Sequence, residues 1–310
     1  MISDLQCRTE MQKLNINDFN DIRISDRELF ERAFRVSNMQ CCEYNFPNLF
    51  NWDGIYKMKW ALYRDWLVIH NITEDIILMP QGKAVSPAEL FEISELFIRE
   101  GKSGRMEQAC ENYVSSHPDL KEFFTLETND DTGEYIYLSE KLSSLSGEKL
   151  HKKKNLISQF IRNNPGYKVI PIKPEQLKDC MDFNEKWYEE KNNTDHALAD
   201  EKTAMSSAFK YYSELGMEGI GIYNADTMIA FSMFSRQNSD TYTVHFEKAS
   251  KTVKGTSQVI NWETAKYLKE KCRYINREQD LGDPGLRQAK LSYAPEYILK
   301  SYSLMPKIRK

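Results

Sequence analysis

Short apolar or alternating stretches at 219–223, 227–235 and 241–247 are separated by Asn224-Ala225-Asp226 and by the polar run 237–240. Such a series predicts a three-stranded antiparallel meander. A polar loop at 251–257 follows, and Val259, Ile260, Ala265 and Leu268 then recur at helical spacing, which predicts a helix over 257–271. A short strand is expected at 274–278, running on toward Asp280. At Asp283-Pro284 an Asp cap and a Pro in the first helical position predict one more helix. The same order occurs earlier: strands at 55–63, 66–72 and 75–80, then an amphipathic helix at 86–100 capped by Ser86 with Pro87 in its first position. Between the two series lie a strand at 134–142, a basic amphipathic helix at 145–163 and a stop at Asn164-Pro165-Gly166. The pattern predicts an α/β chain of the α+β kind, in two similar halves, 1–165 and 166–310. Each is a mostly antiparallel sheet flanked by helices, and the strand and helix before the boundary are free to pack on either half.

Composition narrows the class. A length of 310 residues suits two units, and 41% hydrophobic with 28% charged residues is ordinary globular usage, which excludes disorder. No apolar run reaches the 18 or so residues of a membrane helix. The start Met1-Ile2-Ser3-Asp4 carries neither a basic nor an apolar leader segment, so a cytoplasmic location is expected. Cysteines at 7, 41, 42, 110, 180 and 272 form no C-x-x-C pair and have no histidine at metal spacing, so thiols and no metal site are expected. The N-x-T matches Asn71-Ile72-Thr73 and Asn192-Asn193-Thr194 would matter only in a secreted chain. A net charge of −4 argues against a DNA-binding protein, although basic residues gather at 149–154 and 248–254.

Four places could carry chemistry. The loop around Lys251, Lys254, Gly255, Thr256, Ser257 and Gln258 leaves a strand and enters a helix, so free backbone amides and the positive end of the helix dipole converge there. It reads either as an anion site for a phosphate-bearing donor or as a glycine turn with solvated lysines. On the strand 274–280, alternation puts Asn276, Glu278 and Asp280 on one face and Ile275, Arg277 and Gln279 on the other. Attack of an amine on an ester or thioester needs a base, for which Glu278 or Asp280 is suited, and donors for the oxyanion, for which Arg287 and Lys290 are suited. The same five side chains, Arg277, Glu278, Asp280, Arg287 and Lys290, could equally form an ion-pair lattice that fixes the last helix. The basic helix with Lys149, His151, Lys152, Lys153 and Lys154 could track phosphates or be a solvated face. Glu43 and Asn48 stand in an aromatic segment that closes either a cleft or a core.

The three strands, the K-G-T-S-Q loop and the helix after it resemble the acyl-CoA site of the GNAT superfamily. Of that superfamily's Q/R-x-x-G-x-G/A pattern, Gly255 is present and Thr252 and Ser257 stand at the flanking positions. A fuller resemblance lies in the stretches 145–155, 275–282 and 285–293, which read LSGEKLHKKKN, INREQDLG and GLRQAKLSY, and in 42–52, CEYNFPNLFNW. These are similar to a bacterial family related to the C-terminal catalytic domain of phosphatidylglycerol lysyltransferases, a tandem GNAT arrangement. The resemblance implies an acyl- or aminoacyl-transferase acting on an amine or hydroxyl. Its donor would be aminoacyl-tRNA, as in the lysyltransferases and the more distant Fem-type peptidyltransferases, or acyl-CoA, with no tightly bound cofactor. It also implies a small-molecule or peptide acceptor and tRNA as a partner. Glu43, Asn48, Lys149, His151, Lys152, Lys153 and Arg277 are then candidate substrate contacts. The other reading that stays open is a tandem-GNAT protein that binds a ligand without chemistry.

Overall fold

The computed structural model describes residues 14–191 and 196–307. Expectations that rest on the first four residues, on Cys7 and on Asn192-Asn193-Thr194 lie outside the described residues. The first half runs β1 (Asn20–Asp21), α1 (Arg27–Ser37), α2 (Phe46–Tyr56), β2 (Met58–Tyr63), β3 (Trp66–Asn71), β4 (Ile76–Gly82), α3 (Pro87–Arg99), β5 (Met106–Cys110), α4 (Glu111–Ser116), α5 (Leu120–Phe123) and β6 (Phe124–Thr128). There follow β7 (Glu134–Leu138), α6 (Ser139–Ser144), α7 (His151–Asn163), β8 (Lys168–Pro171), α8 (Leu177–Lys191), α9 (His196–Lys210), β9 (Glu218–Asn224), β10 (Thr227–Arg236) and β11 (Thr241–Ala249). The chain closes with α10 (Thr256–Leu268), β12 (Tyr274–Asn276), α11 (Pro284–Leu291), β13 (Tyr297–Leu299) and β14 (Ser301–Pro306).

Two seven-stranded sheets share one plan, β1-β2-β3-β4-β5-β14-β6 and β8-β9-β10-β11-β12-β7-β13. In each, the fourth and fifth strands are parallel and the other neighbouring strands pair antiparallel. The parallel pair needs a crossover, which α3 and α10 supply. The sixth position is exchanged: β14 enters the first sheet between β5 and β6, and β7 enters the second between β12 and β13. The sheets therefore change between β6 and β7, not at residue 165, and α6 and α7 pack on α10 of the second half.

Local chemistry explains the elements and the corrections. Ser86 accepts from the Glu89 amide while Glu89 returns to Ser86, a reciprocal cap at the start of α3, with Pro87 next as expected. The strand expected from residue 55 begins only at Met58, because Asn45 caps α2 and that helix continues to Tyr56 before Lys57 ends it at positive φ. The strand expected over 134–142 ends at Leu138 and turns into α6. One apolar core joins the halves, since Phe231, Met233 and Phe246 of the second sheet pack with Phe30, Phe46 and Leu67 of the first half. A second core lies under α7 and α10, around Phe160, Phe234 and Val259. The described cysteines Cys41, Cys42, Cys110, Cys180 and Cys272 are free thiols.

Candidate active site

Strands β11 and β12 pair only through Thr241–Thr243 and Tyr274–Asn276 and then diverge. Along β10 the register shifts, so that Phe234 faces Val244 and Met233 faces Phe246, and His245 has no partner in the ladder. A bulge of this kind re-aims its side chain. His245 Nδ1 meets Glu278 Oε1 at 2.9 Å across the gap, and Arg277 Nη2 donates to Glu247 Oε1 at 2.8 Å. Glu278 adopts φ +58°, a conformation that costs a non-glycine residue about 1–2 kcal/mol. Asn276 Oδ1 accepts from the Glu278 amide at 2.8 Å, and Lys290 Nζ donates to the carbonyls of Arg277, Glu278 and Gln279. Strain held in place by surrounding bonds is a mark of functional loops.

This geometry sorts the candidates on the last strand and helix. The strand ends at Asn276, and the left-handed turn at Glu278 breaks the alternation that put Asn276, Glu278 and Asp280 on one face. Asp280 is 1% exposed and accepts from Arg287 Nε and Nη2, both at 2.8 Å, from the Tyr135 hydroxyl and from the Gly282 amide. Its hydrogen bonds from Arg287 hold the Asp280 carboxyl well below the usual carboxylate range, so it is no base. Arg287 also binds Asp131 through Nη2, and the donors of Lys290 go to backbone carbonyls, so Lys290 is spent on the loop. Burial brings the Lys290 ammonium down to about 8. Arg277 is half-buried and its Nη2 pairs with Glu247. Of the expected lattice the Asp280–Arg287 pair is present, while Arg277 pairs with Glu247 and Lys290 with backbone carbonyls, and Asp283 caps α11 as expected, its Oδ1 accepting from the Leu286 amide.

The first half delivers its residues through the segment ahead of α2. Gln237 Nε2 donates to the carbonyls of Met39, Cys41 and Tyr44 and so pins that segment to the hairpin of β10 and β11. Gln279 Nε2 donates to Glu43 Oε1 at 2.8 Å, and Asn48 Nδ2 donates to the Cys42 carbonyl at 2.9 Å. Glu43, Asn48 and Glu278, distant in sequence, thereby line one cavity of about 340 Å³ between the halves. Carboxylates of Glu43, Glu74, Glu107 and Glu278 share its wall with Trp52 and Tyr56, and no Lys or Arg is among its lining residues. Fixed negative charge beside aromatic faces suits an ammonium group.

Behind the cavity lies Glu134 of β7, 2% exposed, whose Oε2 accepts from the Cys42 amide at 2.9 Å and from Asn276 Nδ2. Burial, then the charge of Glu43, pushes Glu134 up to about 8, and burial raises Glu43 as well. Cys41 Sγ with the two carboxylates brings three potential metal donors within 4.8 Å of one another, where Cys41 Sγ donates to Glu43 Oε2 and the carboxylates accept from the Cys42 amide and Gln279. A carboxyl raised on folding is charged first in the unfolded chain, so its cost to stability grows from the unfolded value near 4.3 up to about 8 and is then constant. Glu134→Gln is therefore expected to melt higher than the parent at pH 8 and to lose that advantage near pH 4. Melting curves at both values check it, and an advantage that grows as pH falls would contradict the assignment.

The loop before α10 is built as a helix start. Gly255 is its N-cap at φ +90°, and a Cβ there would lie 3.0 Å from the Leu156 carbonyl oxygen and 3.1 Å from Phe160 Cβ. Glycine is thus required by conformation and by the approach of α7. Lys251, Lys254 and Ser257 are exposed, Gln258 is half-buried, and Thr256 is buried with its hydroxyl on the Val253 carbonyl. None of these six residues lines the cavity between the halves. Lys149, His151, Lys152 and Lys154 are exposed at the start of α7, while Lys153 turns inward over the Tyr293 ring, 4.3 Å from its centre. Sequence reasoning missed His245, Ser235, Gln279 and Glu134. The first two sit in strands that read as plain alternation, and a bulge leaves no mark in such a pattern.

Comparison with known proteins places this geometry. A family model described as phosphatidylglycerol lysyltransferase, C-terminal, matches residues 34–305. The crystal structure of a conserved protein of unknown function from Bacteroides thetaiotaomicron is 31% identical and superposes with a TM-score of 0.89, covering 94% of this chain and 99% of that one. A C-terminal domain (DUF2156) described as that of a lysylphosphatidylglycerol synthetase from Agrobacterium fabrum is 13% identical, with a TM-score of 0.63 over 90% of this chain and 92% of its own. FemX is 10% identical, with a TM-score of 0.55 over 92% and 96%. The latter two likenesses show the GNAT-like fold. An uncharacterized protein of Mycoplasmoides gallisepticum is 25% identical over 192 residues, a match that spans 61% of this chain and 60% of that relative's length.

Proposed function

The chain belongs to the family of the phosphatidylglycerol lysyltransferase C-terminal domain, and from that premise we propose that it is an acyl- or aminoacyl-transferase whose acceptor is an amine or hydroxyl. The observation that carries the reading is the acidic, aromatic-walled cavity between the halves, into which a strained and tightly supported Glu278 is placed beside Glu43. An amine arriving as its ammonium ion is attracted there, and Glu278 can take its proton as nitrogen attacks the donor carbonyl. His245, bonded to the same carboxylate, orients it. The donor is aminoacyl-tRNA or acyl-CoA. The exposed basic start of α7 supports the first, and the helix start at Gly255 to Gln258 supports the second. No helix among the described residues is long and apolar enough to cross a membrane. The acceptor is read as a small molecule or peptide that presents its amine or hydroxyl to the acidic cavity.

A side-by-side screen of acyl-CoAs and aminoacyl-tRNAs, by melting temperature and by transfer to amine and hydroxyl acceptors, tests the reading. A bound donor adds about 2.7 kcal/mol at 100 times its Kd. Transfer from one donor class supports the proposal. Binding without transfer would leave the silent ligand-binding alternative standing, and no response to either class would remove both.

The tRNA branch has its own test. Replacing Lys149, Lys152 and Lys154 together by alanine is expected to weaken tRNA binding and to lower the slope of log K against log salt by about 2–3. Lys153 is left in place because it packs on Tyr293. Filter binding across a salt series reads the effect, and an unchanged slope would take α7 out of the tRNA reading.

A further inference from the structure

Glu278 is the end of a row that crosses from one half to the other. Its Oε1 meets His245 Nδ1 at 2.9 Å, His245 Nε2 meets Ser235 Oγ at 2.8 Å, and Ser235 Oγ meets Asn45 Oδ1 at 3.1 Å. The ring of His245 is 2% exposed and Ser235 and Asn45 are 3% and 2% exposed, so the protein, not bulk solvent, must satisfy each group. The position of every hydrogen follows from the far end. Asn45 Oδ1 accepts from the Asn48 amide and its Nδ2 donates to the Arg236 carbonyl, and exchanging the two atoms would set donor against donor and acceptor against acceptor. Because Oδ1 can only accept, the single hydrogen of Ser235 must point to Asn45. Ser235 Oγ is then the acceptor for the ring, and His245 must carry a hydrogen on Nε2. The alternative tautomer, with hydrogen on Nδ1 alone, would leave Ser235 Oγ between two acceptors with one hydrogen to give. One hydrogen remains to be placed, between His245 Nδ1 and Glu278 Oε1, and without it two lone pairs would face each other at 2.9 Å.

We propose that Asn45 and Ser235 are positioning residues that lock His245 as its Nε2–H form, so that the one proton shared by His245 Nδ1 and Glu278 is the proton the cleft gives and recovers in each transfer. The inference rests on the transferase reading of this site. Its balance is closed. The acceptor nitrogen forms a bond to the donor carbonyl carbon, and the bond from that carbon to the leaving oxygen or sulfur breaks. An acceptor that arrives as its ammonium ion first releases one proton to water and attacks as the neutral amine; the leaving atom takes the shared proton, and the one surplus proton left on the nitrogen after attack returns to the pair. The other charged groups facing the pair are Glu43 across the cavity and Lys290 beneath the loop carbonyls. Both are held by their own hydrogen bonds and take no part in the row. Sequence distance hides the arrangement, since Asn45 belongs to the first half and the other three residues to the second.

The tautomer is directly measurable. Long-range ¹H–¹⁵N correlation spectra of the full chain, with His245 assigned among the five histidines by its loss in His245→Gln, report which ring nitrogen carries hydrogen. Hydrogen on Nε2 is expected at neutral pH in the parent protein. A neutral ring with hydrogen on Nδ1 and a bare Nε2 would overturn the proposal, and this measurement needs no variant of the row to fold. In Ser235→Ala the Nε2–H signature should be lost or averaged and transfer should slow about 10-fold or more, part of the 10²–10⁴ that acid–base catalysis contributes. Ser235→Thr, which keeps the hydroxyl, should restore both. A transfer rate in Ser235→Ala equal to the parent's would refute the role of the row in the reaction. Failure of the parent to transfer from any donor, with the Nε2–H form observed, would instead refute the transferase reading while the hydrogen assignment stood.

Discussion

Glu278→Gln is expected to slow transfer by a factor on the order of 10²–10⁴ while leaving the melting temperature nearly unchanged. Glutamine has the same shape, and its amide N–H can donate to His245 Nδ1, so the bond across the gap between β11 and the 277–280 loop survives. The bonds that hold the loop come from Asn276 and Lys290 to the backbone of residues 277–279, which the substitution leaves alone. What is lost is the capacity to carry a proton in a cavity that collects ammonium groups. Steady-state rates with the donor identified in the screen, measured beside thermal melts, check the prediction. A variant within about twofold of the parent rate would show that the base lies elsewhere.

Asp280→Asn, two residues away, is expected to behave in the opposite manner, costing stability of roughly 3 kcal/mol. Its carboxylate is buried and satisfies Arg287, Tyr135 and the Gly282 amide together. The estimate is set at the low end for a broken buried pair because Arg287 is 36% exposed and keeps Asp131 as a partner. The pH dependence has a definite sign. Folding depresses the Asp280 carboxyl, so its contribution is complete above the unfolded value near 3.9 and disappears as pH falls from there through the lower folded value. Urea unfolding of parent and variant at pH 7 and near pH 3 should show the gap narrowing in acid. Equal stability at pH 7 would contradict the lattice.

These two residues also show how far the sequence can be read. Both carboxylates lie in the motif INREQDLG, and pattern alone offers each as base or as ion-pair partner. The difference arises from a left-handed turn at Glu278, which no propensity rule places on a glutamate, and from Tyr135 and Asp131 arriving from the exchanged region around β7. Capping chemistry was legible where it is local: Ser86-Pro87 and Asp283-Pro284 start helices as their spacing predicts. The β9 to β11 meander was legible from its alternation. Short strands such as Tyr297–Leu299 and Ser301–Pro306 were not, because three to six residues with mixed burial carry too little period to register. The segment with Glu43 and Asn48 lines the cleft, one of the two places its aromatic-rich make-up allowed, whereas His245 was invisible because its bulge exists only in the pairing with β10.

The exchanged strands bear on how the molecule comes into being. During synthesis β5 and β6 emerge early, yet the space between them stays vacant until Ser301–Pro306 leaves the ribosome and slots in. Until then two open edges of the first half stay exposed, a period in which pairing with a stranger competes with self-completion. The first half cannot complete its sheet ahead of the second, so nascent chains halted before β14 should be clients of chaperones and not finished domains.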